Sequence, residues 1–436
     1  MVLDKENVFL MNEIKKKKLL IYAHYYIPDV ASTGQIVREL AEGMLDTFDI
    51  TVICVVPSYT GKIEEKYKKQ KYYKENINGV NIVRIRVPEF NKNNKKSRIK
   101  NIVSYFFGAI SATFKVGKQD VVFSISQPPI LGGLLGVIGK WIKHAKFVYN
   151  IQDFNPEQTM AVNYSKNKFI LNAMMKLDKF SCKRSNLIIT VGRDLVQTVN
   201  NRFKNKTVPK TVLINNWIDE NEIYPLDKDN AKVLEFKKKY NLENKFIIMY
   251  SGNIGLYYDL ENIIKVIEKI KPGTRTKDNK EVVFAFVGEG TVLENLKQYK
   301  QEHNMDNVVF IPYQDKKDLI YSLNVADVHW CVNAKGIKGV SCPSKYYGIA
   351  ASGKPILGVL EENTEVRLLI EETKGGLVSS PEDYEMIEKN IKWFIENSDS
   401  KELEDMGKRS REYLVENLTK EISIRKYENE ILKLLK

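Results

Sequence analysis

Several apolar runs in this chain end in residues suited to handling anions, hydroxyls and protons. The first, residues 19–23, leads into His24-Tyr25-Tyr26-Ile27-Pro28-Asp29-Val30-Ala31-Ser32-Thr33-Gly34. A strand end that feeds a loop and then a helix turns backbone N–H groups toward a crevice and favours phosphate. Gly34 would permit close approach, with Ser32 and Thr33 as hydroxyl donors; an ordinary helix cap explains the same residues. There is no GxGxxG here, which disfavours a dinucleotide cofactor. The second exit is Tyr149-Asn150-Ile151-Gln152-Asp153-Phe154-Asn155-Pro156-Glu157. Asp153 and Glu157 can orient a hydroxyl or take a proton, or Asp153 simply caps the next helix. Residues 188–194 (IITVGRD) and 212–219 (VLINNWID) leave strands in the same way, with Arg193 and Asn216 at the edge.

The later exits are richer in glycine. Met249-Tyr250-Ser251-Gly252-Asn253-Ile254-Gly255 places two glycines three apart at a strand end, which permits a tight turn against a phosphate. Residues 282–287 end in Gly288-Glu289-Gly290. In the segment 335–354, Cys342-Pro343-Ser344-Lys345 reads as a helix start, since proline is tolerated in the first turn. Lys345 would add a point charge beside the positive end of that helix, a good partner for a diphosphate. Gly353 then ends the helix.

The elements that must hold these groups are alternating strands and helices. Strand candidates rich in Val and Ile fall at 19–23, 50–56, 80–87, 121–125, 147–151 and 187–191, with helical spacing at 33–44. The pattern restarts at 246–250 and continues through 282–287, 308–311, 328–331, 355–359 and 376–378, with a helix at 260–270. Such alternation implies parallel sheets with helices on both faces. The expected fold class is α/β, with two Rossmann-like halves joined near residues 216–230. Residues 62–74 and 92–100 read as solvated loops or helix faces.

Composition bounds the rest. The 436 residues suit two or three domains, and 43% hydrophobic with 10% aromatic content excludes a wholly disordered chain. Thirteen prolines and 24 glycines exclude a collagen-like one. Cys54, Cys182, Cys331 and Cys342 form no CxxC pair, so a disulfide framework or zinc site is not expected and a reducing compartment fits. The apolar run after Lys15-Lys16-Lys17-Lys18 is too short for a signal-peptide core, and no run is long enough to span a bilayer. The net charge of +13 is uneven: residues 1–218 carry 35 basic and 17 acidic side chains, residues 219–436 carry 33 and 38. One half therefore faces something anionic. No helix-turn-helix, RNP-like or zinc motif supports nucleic acid. Residues 102–116 and 130–142 are apolar enough either to touch a membrane or to pack on the sheet.

In order along the chain, YYIPDVASTG, IQDFNPE, IITVGRD, LINNWID, YSGNIG, FAFVGEG, VVFIPY, VADV and PSKYYGIAASGKPIL resemble the GT-B-fold glycosyltransferases of family 4. The closest likeness is to the bacterial envelope-polysaccharide branch that includes fucosamine transferase-like proteins. The resemblance implies two Rossmann-like domains facing a central cleft and a retaining hexosyltransferase using a nucleotide-diphosphate sugar, without cofactor or metal. There are departures. The Glu-x7-Glu of many members falls at Val340 and Gly348, so neither carboxylate is present. The usual Arg and Lys after the third segment appear as Asn253 and Tyr258, and a common histidine is replaced by Gln152 and Asp153.

The expected domains are an acceptor-binding 1–218, a donor-binding 219–419, and a C-terminal helix 420–436 packing back on the first. Donor contacts are expected from Gly252, Asn253, Gly255, Gly288, Glu289, Tyr313, Ser344, Lys345, Glu365 and Arg193. Acceptor contacts are expected from Ser32, Thr33, Gly34, Glu157 and Asn216. Asp153 and Lys345 are the candidate catalytic residues. The expected donor is UDP-linked, with an N-acetylated amino sugar among the candidates. The expected acceptor is a polyprenyl-diphosphate-linked saccharide, and the expected location the cytoplasmic face of the cell membrane, on an anionic lipid surface. A GT-B nucleotide-sugar epimerase and a non-catalytic nucleotide-sugar-binding scaffold stay open.

Overall fold

The computed structural model describes residues 16–29, 32–91, 94–161, 167–204 and 209–436. The strands are β1 (Lys17–Tyr22), β2 (Phe48–Val55), β3 (Tyr72–Ile77), β4 (Val80–Ile85), β5 (Val121–Ile125), β6 (Lys146–Ile151), β7 (Leu187–Thr190), β8 (Lys210–Leu213), β9 (Lys245–Ser251), β10 (Glu281–Val287), β11 (Val308–Ile311), β12 (Val328–Val332), β13 (Ile356–Val359) and β14 (Gly376–Ser379). The chain forms two compact units. One comprises Met1–Asn150, Lys176–Ile189 and Ile424–Lys436, the other Ile151–Met175 and Thr190–Ser423.

In the first unit the strands lie in the order β3-β4-β2-β1-β5-β6-β7. β1 pairs in parallel with β2 and β5, and β2 with β4. Continuous apolar runs fit strands covered on both faces: Leu19, Leu20 and Ile21 are fully buried. β3 departs from expectation, because the lysine-rich stretch read as loop or helix face ends in a strand antiparallel to β4. Its side chains are half-buried or exposed, as an edge strand requires.

The two apolar helices of this unit differ. The helix Leu131–Lys143 packs closely on the sheet through Gly132, Gly133, Gly136 and Gly139, all buried. A Cβ at Gly136 would lie 2.0 Å from the Phe147 ring, and one at Gly139 2.6 Å from the Tyr22 hydroxyl. Its glycines thus serve close approach to β6 and β1, and this segment is core. The helix Lys95–Lys115 buries one face alone, with Thr113 bonded to Tyr22 Oη at 2.5 Å. The C-terminal helix Lys420–Lys433 brings Tyr427 into the same unit, where its hydroxyl accepts from Asn150 Nδ2 at 2.8 Å. Ile424 sits where a side chain at Gly43 would clash.

The second unit is built on a parallel sheet in the order β11-β10-β9-β12-β13-β14. Ile248, Tyr250, Phe284, Phe286, Trp330 and Leu357 form part of its core. The pairing of β9 with β10 runs from Lys245↔Glu281 to Ser251↔Val287, so both strands end level. That register sets the site: the residues after each strand, Gly252 and Gly288, emerge side by side.

Candidate functional site

Backbone meets backbone at the carboxyl ends of β9 and β10. Gly252 N donates to Val287 O at 2.9 Å, Ile254 N to Glu289 O at 2.8 Å and Gly288 N to Ile311 O at 3.0 Å. Gly252 and Gly288 have φ of 134° and 137°. A Cβ on Gly288 would lie 2.0 Å from Gly252 O, and one on Gly252 2.7 Å from Lys345 Cε. Only glycine meets both the torsion and the space. Tyr250 Oη donates to Asn253 O at 2.6 Å and pins the turn beneath. Asn253 and Glu289 are exposed, Gly255 is buried, and Tyr313 stands exposed just beyond β11.

Lys345 opens the short helix Lys345–Ala351, with Ser344 exposed as its cap. Its Nζ lies 3.6 Å above the Tyr258 ring and 4.9 Å from that of Tyr250. Among the described residues no carboxylate pairs with it. Burial pushes its ammonium down from 10.5 to about 8, a fall that nearby Cys331 partly opposes, because a desolvated cation gives up its proton more readily.

Asp153 reaches the same neighbourhood. Residues 153–154 run antiparallel to Val340–Ser341, with Phe154 N donating to Val340 O at 2.8 Å. Burial raises the Asp153 carboxyl, and a hydrogen bond from the Ser341 side chain partly opposes the rise. Its charge also helps push the Tyr258 hydroxyl up to about 12, after burial as the main cause. Lys345 and Asp153 thus act on one tyrosine ring.

The loop that precedes Lys345 is held by two carboxylates that sequence reasoning passed over. Asp194 Oδ2 accepts from Gly339 N at 2.7 Å and its Oδ1 from Glu365 N at 3.2 Å. Glu361 Oε2 accepts from Gly336 N and Lys338 N at 2.9 and 2.8 Å. Thr198 Oγ1 adds a bond to Gly339 O at 2.7 Å. The signal for Asp194 was present, an acid in the first turn of the helix Arg193–Phe203 directly after a strand exit.

The remaining expected residues have their hydrogen bonds largely spent within the protein. Arg193 Nε meets Glu365 Oε2 at 2.8 Å while its other nitrogens reach both oxygens of Glu372 at 2.5 and 3.2 Å. Glu365, buried, also accepts from Arg193 N and from Asn215 Nδ2, both at 2.8 Å. Arg193 therefore arrives with its charge balanced by two carboxylates, and Glu365 with both oxygens engaged. Glu157 is gripped by Arg202 at 2.6 and 2.8 Å. Asn216 donates to Gln152 Oε1 at 2.6 Å, and its own buried Oδ1 has no partner among the described residues.

Thr33 and Gly34 belong to the first unit, in the helix Ser32–Gly43; the side chain of Ser32 lies outside the described residues. A narrow crevice there is lined by Ala23, His24, Tyr25, Thr33, Val37, Ile125 and Gln127. Burial lowers the His24 imidazole to about 4, so it is neutral, and its Nε2 has no partner among the described residues.

Residues 232–413 match the family model described as Glycosyl transferases group 1. The chain is 25% identical over 343 residues to the probable glycosyltransferase WbjE of Pseudomonas aeruginosa, covering 78% of this chain and 81% of that protein. It is 26% identical over 430 residues to the putative colanic acid biosynthesis glycosyl transferase WcaI of Escherichia coli K12, covering 95% and 99%. Among solved structures it is similar to a sucrose-phosphate synthase from Thermosynechococcus elongatus, with a TM-score of 0.74 at 13% identity over 96% of this chain and 99% of the other. It is also similar to HepE of Anabaena in complex with UDP and glucose, with a TM-score of 0.67 at 12% identity over the same shares. The fold is GT-B, with two parallel-sheet, Rossmann-like α/β cores.

Proposed function

We propose that this chain, a GT-B fold carrying a glycosyltransferase group 1 domain over residues 232–413, transfers a sugar from a UDP-linked donor to a lipid-diphosphate-linked saccharide during assembly of a bacterial surface polysaccharide. The carrying observation is Lys345, an ammonium without a carboxylate partner among the described residues, set on Tyr258 against the paired glycine turns at Gly252 and Gly288. A diphosphate brings the countercharge this lysine lacks, and the glycines clear space for it. The names of WbjE and WcaI support a surface polysaccharide as product, and HepE, solved with UDP, supports the donor class.

In this scheme Gly252, Asn253, Gly255, Gly288, Glu289, Tyr313 and Ser344 surround the donor. Lys345 neutralises charge that develops on the departing diphosphate, and Asp153 orients the reacting sugar. Front-face attack with retention fits a site whose main provision is leaving-group stabilisation. Arg193, Glu365 and Glu157 brace the loops around the donor, their own charges being matched within the protein. The acceptor meets the turn around Thr33 and Gly34, within the basic half of the sequence.

The test is nucleotide release from a panel of UDP-sugars with and without a polyprenyl-diphosphate-linked saccharide. Release that needs the acceptor supports transfer. Interconversion of the sugar without release points to an epimerase, and binding without turnover to a scaffold.

A further inference from the structure

The helix Lys95–Lys115 has two faces with different surroundings. Asn101, Tyr105, Gly108, Ala109, Ala112 and Thr113 are buried, with Gly108 pressed close to Ile85. At 3.6 residues per turn, Ile99, Val103, Phe107, Ile110 and Phe114 project within about 80° of one another on the opposite side. Four of these stand open, with exposures of 60% for Ile99, 41% for Val103, 63% for Phe107 and 68% for Phe114. Single exposed apolar residues are ordinary, whereas a continuous row on one helix marks a docking surface.

Charge identifies what docks. No acidic residue occurs from Phe90 to Gln119, while Lys95, Lys96, Arg98, Lys100 and Lys115 are exposed on the helix itself. A second copy meeting this face about a two-fold axis would bring like charges together. An anionic bilayer meets both features, since phosphates take the cations and the acyl boundary takes the row. Among the described residues no helix is long and apolar enough to cross a membrane, so this one would lie along the surface.

We propose that the helix Lys95–Lys115 seats the protein on anionic lipid, with Phe107 and Phe114 entering the acyl boundary and Lys96 and Lys100 at headgroup level. This deepens the lipid-linked acceptor reading and rests on it for its purpose. Vesicle binding needs neither donor nor turnover, so the two fail separately.

The experiment is flotation of the full chain with vesicles of phosphatidylglycerol and phosphatidylethanolamine, and with phosphatidylcholine alone. Wild type should float with the anionic vesicles and release at high salt. The pair Phe107→Ser and Phe114→Ser should lower partitioning by about tenfold or more, with unchanged thermal stability and UDP affinity. The pair Lys96→Ser and Lys100→Ser should weaken binding to anionic vesicles in particular. Equal flotation of wild type and the phenylalanine variant would overturn the proposal. So would a lipid-free dimer that the same variant dissolves, because the row would then belong to a second copy.

Discussion

Replacing Lys345 by methionine should separate stability from function in opposite directions. The shift from 10.5 to about 8 corresponds to about 3 kcal/mol of penalty for keeping this ammonium charged in the folded protein. A lysine whose folded value is depressed costs stability at every pH below that value, and the cost fades as pH rises from about 8 toward 10.5. Loss of the Tyr258 contact returns about 1–2 kcal/mol of this. Lys345→Met should therefore leave the nucleotide-free protein as stable as wild type at neutral pH, or about 1–2 kcal/mol more stable. UDP affinity should fall about tenfold to a hundredfold, the worth of one charge-assisted contact, and uridine affinity should hold. Protonation supplies a sharper sign. A bound diphosphate raises the lysine's value again, so the number of protons taken up on UDP binding should grow as pH rises from neutral toward 9. Titration calorimetry in buffers of different ionisation enthalpy reads this number directly, and in Lys345→Met it should vanish. Unchanged UDP affinity in the variant, or proton uptake indifferent to it, would refute the assignment of Lys345 to the diphosphate.

Three other perturbations check the surrounding construction. Asp153→Asn should cut turnover about a hundredfold or more while UDP affinity stays near wild type; steady-state kinetics beside equilibrium binding decides it. Gly288→Ala forces a Cβ to within 2.0 Å of a backbone carbonyl at φ 137°, and should cost about 3 kcal/mol or more. Gly273→Ala, at φ 83° in open space, should cost only about 1 kcal/mol; urea midpoints compare the two. Arg193→Met should strip the buried Glu365 of its guanidinium and destabilise the protein by about 1–2 kcal/mol, since Glu365 keeps its bonds from the residue 193 amide and Asn215, with UDP affinity retained in the folded fraction. Loss of UDP affinity at full stability would instead put Arg193 on the donor.

The parallel sheets were legible because strands covered on both faces read as apolar runs, and Leu19–Ile21 and Phe246–Tyr250 are buried end to end. The turns at Gly252 and Gly288 were legible for a related reason, since glycines directly after such runs stand out, and Lys345 stood out through the helix start that Pro343 and Ser344 mark. β3 was not, because Tyr72, Lys74 and Glu75 follow no apolar run and the strand is defined by its antiparallel partner β4. The pairing of Arg193 with Glu365 and Glu372 spans 172 and 179 residues. Nothing local in IITVGRD marks that its arginine is already balanced, or that Asp194 holds a loop 145 residues away. The apolar stretches 102–116 and 130–142 look alike in sequence. Their fates diverge through the four glycines that let the second lie flat on the sheet.

Transfer to a lipid-linked saccharide changes the mass of that lipid. The full chain, incubated with a UDP-sugar panel and polyprenyl-diphosphate-linked saccharide, should yield with one donor a lipid heavier by one sugar residue, matched mole for mole by UDP. A lipid of unchanged mass in the presence of every donor, with sugars interconverted or UDP-sugar merely bound, would rule out transfer to this acceptor class.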